Sequence, residues 1–208
     1  MDVAMFVIGL TGGIGSGKST VCDMLRAKGA AIVHADLVGH EVYRPGTAVW
    51  DEVVAAFGRQ VLAADGQIDR RKLGSIVFAD AEARRRLNAI THPPMRRLMA
   101  DRLDELRRQG ERIAVLEAAL LIEAGWIDLV DEVWLTLLPP AVAAQRLMER
   151  SGLSREEADG RIASQLSNDE RLEHADVVID TDCSLADVAH RVDELWEGLM
   201  ARLAAMAG

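Results

Sequence analysis

Gly12, Gly17, Lys18 and Ser19 stand in the spacing G-x-x-x-x-G-K-S, inside the run GLTGGIGSGKST from Gly9 to Thr20. A triphosphate packs several negative charges into a small volume, and these residue types answer that problem. Gly12, Gly13, Gly15 and Gly17 let a backbone turn tightly and aim its N–H groups inward, because no side chain stands in the way. Lys18 brings a mobile positive charge to the β- and γ-phosphates, and the Ser19 hydroxyl can ligate Mg2+. Gly13, Ile14, Gly15, Ser16, Gly17, Lys18, Ser19 and Thr20 are therefore the expected contacts of a nucleoside triphosphate. The pattern does not say what becomes of the γ-phosphate.

Transfer to a hydroxyl needs an acid that takes or orients its proton. Asp36 is the candidate by place, because it follows His34-Ala35 at the carboxyl end of an apolar segment, where α/β folds build their sites. Asp36 can equally cap the helix expected over 37–43 or hold Mg2+ through water. Glu117 closes another apolar run and reads as a carboxylate near Mg2+ or, slightly better, as an ordinary strand end. Arg146 and Arg150 share a helix face at i, i+4. They can close over phosphates as part of a lid, or pair at the surface with Glu149 and Glu157.

These groups need elements to position them. Met5 to Ile8 reads as a buried strand before the loop, and a helix with Val21, Met24 and Leu25 follows it and stops at Gly29. Further strands are expected over Ala30–Val33, Ile113–Glu117, Asp131–Leu137 and Asp176–Asp180. Residues 37–109 read as almost wholly helical, with starts at Thr47, Asp69 and Asp80 and a break at His92-Pro93-Pro94 before a long amphipathic helix. Pro139-Pro140 opens a helix, Ser154 to Glu157 matches a capping box, and a last helix starts near Ser184. Five strands alternating with helices predict an α/β fold, a doubly wound five-stranded parallel sheet in the manner of a P-loop kinase. One domain spanning 1–208 is expected, with its core in 1–36, 110–140 and 170–208. A helical substrate-binding insertion occupies 37–109, and a helical lid 141–169.

The 208 residues are 50% hydrophobic, enough for one substantial core. A net charge of −9 argues against a general nucleic-acid or membrane-surface binder. Two cysteines make no disulfide framework, no signal peptide or apolar span is visible, and a reducing cytoplasm is expected.

The motifs in their order resemble the dephospho-CoA kinases over nearly the whole chain. They are GLTGGIGSGKST; His34-Ala35-Asp36 with Pro45-Gly46 beyond; DGQIDRRKLGSIVF from Asp65; LNAITHP from Leu87; LLIE from Leu120; Arg146 and Arg150 before GLS-x-EEA; and ADVVID ending at Asp180. The resemblance implies ATP and Mg2+, and phosphorylation of the ribose 3′-hydroxyl of dephospho-CoA, the last step of coenzyme A synthesis. It implies that Asp36 is the catalytic acid–base residue and that Lys18, Arg146 and Arg150 face the phosphates. It implies that Arg70, His92, Leu120 and Glu123 lie near the acceptor, and that the loop after Asp180 flanks adenine. His34 stands where the family has a first Asp, Ala119 where it has Pro, and Glu117 where it has Asp. Thr181-Asp182-Cys183 replaces the family's N-x-G, and Cys183 takes glycine's backbone conformations only at a cost. A nucleoside or nucleotide kinase is a rival that only the insertion separates. A GTP switch is another, since Asp36-Leu37-Val38-Gly39 spells D-x-x-G, but no N-K-x-D follows. Intact Lys18, Ser19 and Asp36 argue against an inactive binding module. The number of subunits is not legible.

Overall fold

Phe6–Gly12 (β1) is buried at every position but Phe6, as a strand covered on both faces must be. The computed structural model, which describes residues 5–207, places it at the centre of a five-stranded sheet. The order is β2-β3-β1-β4-β5, with β2 Ala31–His34, β3 Ile113–Glu117, β4 Glu132–Leu137 and β5 Val177–Asp180. The ladder is parallel. Leu10 stands opposite Glu117 and Trp134, Gly12 opposite Thr136, and Leu137 opposite Asp180. The carboxyl ends of β3, β4 and β5 therefore gather around the point where the glycine loop leaves β1.

That first strand does not stop at Ile8. Gly9 to Gly12 pair with β4, and Gly9 and Leu10 also with β3, so the first part of the glycine run is sheet and the loop begins only at Gly12. Gly9 is there for packing: a Cβ would lie 2.7 Å from Leu121 Cδ2 and 2.9 Å from Val130 Cγ2.

The helices are α1 Lys18–Ala27, α2 Ala35–Val42, α3 Ala48–Phe57, α4 Arg70–Ala79, α5 Ala81–Arg108, α6 Pro140–Ser151, α7 Arg155–Ala163, α8 Asn168–Leu172 and α9 Leu185–Ala207. Local chemistry sets most of their ends. Thr47 Oγ1 accepts from Trp50 N, Asp69 from Arg71 and Lys72 N, and Asp80 Oδ1 from Glu82 N. Ser154 and Glu157 form the expected capping box, and Ser184 Oγ accepts from Asp187 N. Gly29, at φ 99°, closes α1 with Ala30 N bonded to Leu25 O.

The chain divides into two compact units. One comprises the chain up to Val33 together with Leu103 onward, and the other is His34–Arg102. In the first, α1 and α9 cover one sheet face, with Val21, Cys22, Leu25, Val188, Val192 and Leu199 packed on Ile8, Leu10 and Trp134. The second has its own core around Val49, Val53, Phe57, Val61 and Leu73.

His92-Pro93-Pro94 does not break the chain: both prolines lie inside the 28-residue α5. Each lacks an N–H, which leaves the carbonyls of Ala89 and Ile90 without their usual helical donors, a cost of about 3 kcal/mol per proline. The helix persists because its flanks are held. Thr91 is buried with Oγ1 bonded to Leu87 O at 2.9 Å, and Leu87, Ile90, Met95 and Leu98 all pack on the core of the second unit.

Candidate active site

The loop after β1 is built around left-handed glycines. Gly15 and Gly17 have φ of 78° and 80°, and Gly12 has 152°. At Gly12 a Cβ would sit 2.2 Å from Thr136 Oγ1 and 2.5 Å from Thr136 O, so neither the backbone nor the space admits a side chain. Gly17 is the N-cap of α1 and supplies no side-chain cap, which leaves the first amides of that helix to face an anion. Lys18 Nζ turns back on the loop and donates to Gly12 O at 2.8 Å and Gly13 O at 3.2 Å. Ser19 and Thr20 are exposed in the first turn of α1.

The surrounding strand ends fix this loop through contacts that sequence reasoning did not foresee, and through Thr136, which it passed over. Ser16 Oγ lies 2.7 Å from Thr136 Oγ1, which itself donates to Thr11 O at 3.2 Å. Thr181 Oγ1 lies 3.0 Å from Ser16 O and 2.9 Å from Leu137 O, so one hydroxyl proton serves two carbonyls. Arg146 Nη2 donates to Thr181 O at 2.8 Å, with Nη1 3.5 Å from Gly15 O. Arg146 thus clamps the loop to the segment after β5, while Arg150, one turn on, is exposed. Thr136 carried a signal that pattern reading ignores, a polar residue at the carboxyl end of an apolar strand, and Thr181, read from the sequence only as a departure in the loop expected to flank adenine, directly follows β5. The segment after β5 turns without glycine. Among the described residues every positive φ belongs to glycine, so Cys183 carries no such strain, and the turn is made by Asp180 Oδ1 accepting from Asp182 N at 2.8 Å.

On the other side of the loop lies a cavity of about 360 Å3, lined by Gly13, Ile14, Ser16, Gln165, Asn168 and Arg171 among others. Ile14 N donates to Gln165 Oε1 at 2.9 Å, and the Ile14 side chain packs on the small core that α6 and α7 share. The helix of the expected lid ends at Ala163, so Gln165 lies beyond it and reaches the loop. Glu123 does not stand alone: its Oε1 pairs with Arg171 Nη2 at 3.5 Å. Burial pulls the Arg171 guanidinium below its ordinary proton affinity, and Glu123 pushes it back. Leu120 is exposed in the same turn.

Asp36 is the second residue of α2, whose N-cap is His34 without a side-chain cap bond. The capping role open to Asp36 is therefore not the one it plays. Its carboxylate is exposed. Glu117 ends β3, with Ala118 N bonded to Leu10 O. In the second unit, Arg70 is hydrogen-bonded to His40 and stacks 5.6 Å over the Tyr43 ring. His92 is half-buried in α5, and burial holds its imidazole below the ordinary 6.5.

The loop, its clamp and the helices beside it suit a phosphate-transferring enzyme, and comparison with known proteins narrows the class. The family model described as dephospho-CoA kinase matches residues 6–187. The chain belongs to the dephospho-CoA kinase family. A dephospho-CoA kinase of Geobacter sulfurreducens is 50% identical over 92% of this chain and 98% of its own length. Among solved structures, a Thermus thermophilus protein superposes with TM-score 0.78 at 33% identity, over 94% of this chain and 98% of that one. The dephospho-CoA kinase of Campylobacter jejuni gives 0.69 at 27%, over 93% and 96%. The family is one of kinases, and a parallel five-stranded P-loop core is its fold here. The guanine-nucleotide switch thereby falls away. Among the described residues no helix is long and apolar enough to cross a membrane.

Proposed function

We propose that this chain transfers the γ-phosphoryl group of ATP to the ribose 3′-hydroxyl of dephospho-CoA, giving coenzyme A and ADP, with Asp36 as the base. The observation that carries this is a complete phosphate loop, with Lys18 and Ser19 in place, in a chain of the dephospho-CoA kinase family. ATP lies on the amides of Gly13 to Thr20. Lys18 leaves the carbonyls of Gly12 and Gly13 for the β- and γ-phosphates, which are stronger acceptors than neutral carbonyls. Asp36 accepts the proton of the 3′-hydroxyl, whose oxygen forms the new P–O bond as the bond to the β-phosphate oxygen breaks. Arg146 and Arg150 carry positive charge to the phosphates from the lid, which comprises residues 141–169. Arg70, His92, Leu120 and Glu123 hold the acceptor, and 37–109 is its binding insertion in a single kinase domain.

The donor set fits Mg2+. Among the described residues no cluster of three or more His, Cys, Asp or Glu forms a metal cage, and Mg2+ bound with phosphates asks for none, because it keeps waters and takes one or two protein ligands. Ser19 would hold it, with Glu117 reaching it through water. When bound, it neutralises charge shared by the β- and γ-phosphate oxygens. Free Cys22 and Cys183 suit a reducing cytoplasm as the site of the reaction.

Product analysis tests the assignment. The protein is incubated with Mg·ATP and, separately, dephospho-CoA, AMP, CMP, uridine or water. Coenzyme A and ADP in equal amounts, with the other acceptors inert, is the expected result. Phosphorylation of another acceptor with dephospho-CoA untouched would overturn the substrate.

A further inference from the structure

Arg171 is 2% exposed, yet its charge is poorly matched. Its guanidinium has five N–H donors. The carboxylate paired with it is Glu123, through one contact at 3.5 Å, and its buried Nε has no hydrogen-bond partner. A guanidinium keeps its charge, and burying a charge is costly unless strong partners surround it. The backbone beneath it is firmly held. Ser167 and Glu170 form a capping box at the start of α8, and Asn168 Nδ2 donates to Leu138 O at 2.9 Å. An under-paired buried cation on a fixed mount is a site suited to an anion.

Its surroundings name the anion. Arg171 lines the same cavity as Gly13, Ile14 and Ser16. A methyl group on Gly13 would meet Arg171 Nη1 at 3.4 Å, so the guanidinium lies against the wall of the phosphate loop. The neighbouring Ile14 amide donates to a neutral amide oxygen, Gln165 Oε1. A phosphate oxygen is a stronger acceptor and can take that place. Arginine matches phosphate with two parallel N–H donors.

We propose that Arg171 is a catalytic residue of the phosphoryl transfer, its guanidinium contacting the γ-phosphate of ATP while Glu123 orients it and Gln165 yields the Ile14 amide. This rests on ATP being the occupant of the loop. Arg171 gives up no proton. The 3′-hydroxyl proton goes to Asp36, the P–O bond to the β-phosphate breaks, the P–O bond to the ribose forms, and Arg171 only balances charge on the moving group.

The test uses the full chain, Arg171→Met and Arg171→Lys. Arg171→Met should lower kcat by about 10²- to 10³-fold, the usual cost of removing one aimed donor, with little change in KM for dephospho-CoA. Free guanidinium ion should restore part of the lost rate to Arg171→Met, which a purely structural loss would not allow. In the wild-type protein the Nε–H resonance of Arg171, assigned by its disappearance in Arg171→Lys, should shift on adding inorganic tripolyphosphate. The proposal is overturned if the Nε–H signal ignores tripolyphosphate, or if Arg171→Met turns over at close to the wild-type rate. If Arg171→Met fails to fold, the wild-type spectrum decides alone. A wild-type protein that makes no coenzyme A defeats the substrate assignment instead, and the spectrum still reports on Arg171.

Discussion

Asp36 is an exposed carboxylate on the first turn of a helix it does not cap, which leaves it available for chemistry. Asp36→Asn keeps the size and loses the base. Turnover should fall by about 10²- to 10⁴-fold, the usual contribution of a positioned general base, while ATP still binds by titration. Equal loss of both would assign Asp36 to the metal or the fold. The two thiols make a second residue-level contrast. Cys22 is buried on the core-facing side of α1, and burial, with Glu117 adding to it, pushes its pKa up to about 11. Cys183 is exposed, and partial desolvation followed by Asp187, Asp180 and Asp182 raises its pKa above 9.0. Only the thiolate is alkylated. Iodoacetamide and mass spectrometry should therefore find Cys183 labelled in the native protein, faster as pH rises through and beyond 9.0, and Cys22 labelled only after unfolding. If the segment after β5 flanks adenine, Mg·ATP slows the labelling of Cys183. Undiminished labelling at saturating ATP would remove that segment from the nucleotide site.

At the scale of elements, α4 and α5 illustrate two balances. The Asp69 carboxylate holds the amides of Arg71 and Lys72 at the start of α4. Asp69→Ala should cost about 1 kcal/mol, a fall of about 2–4 °C in melting temperature for a chain of this size. In α5, burial holds His92 below 6.5. The unfolded chain takes up the proton near 6.5, and the folded chain only at lower pH. The stability contributed by the neutral ring is therefore complete above 6.5 and is lost as pH falls through 6.5 toward the folded value. Melting curves across that interval should slope less for His92→Gln than for wild type. An equal slope would place the acid sensitivity elsewhere.

For the whole molecule, a ligand that binds only the folded state stabilises it by mass action, by about 2.7 kcal/mol at a hundredfold excess over Kd. Mg·ATP should raise the melting temperature of wild type and hardly move that of Lys18→Ala, whereas dephospho-CoA should stabilise both. Stabilisation of Lys18→Ala by Mg·ATP equal to wild type would mean that the nucleotide sits away from the loop. What the amino-acid sequence by itself determined was local or near-local. Glycine spacing specifies the phosphate loop, Ser, Thr and Asp before apolar periodicity specify helix starts, and short apolar runs specify five strands, because each signal lies within a few residues of its effect. Tertiary structure decided what depends on distant neighbours. It set the order β2-β3-β1-β4-β5, and it extended β1 to Gly12 by pairing Thr11 and Gly12 with β4. It carried α5 through two prolines on the strength of packed flanks. It also brought Thr136, Gln165, Arg146 and Arg171 to the glycine loop across more than a hundred residues of chain. No periodicity records such a meeting, because hydrogen bonding and burial act through space while a sequence pattern acts only along the chain.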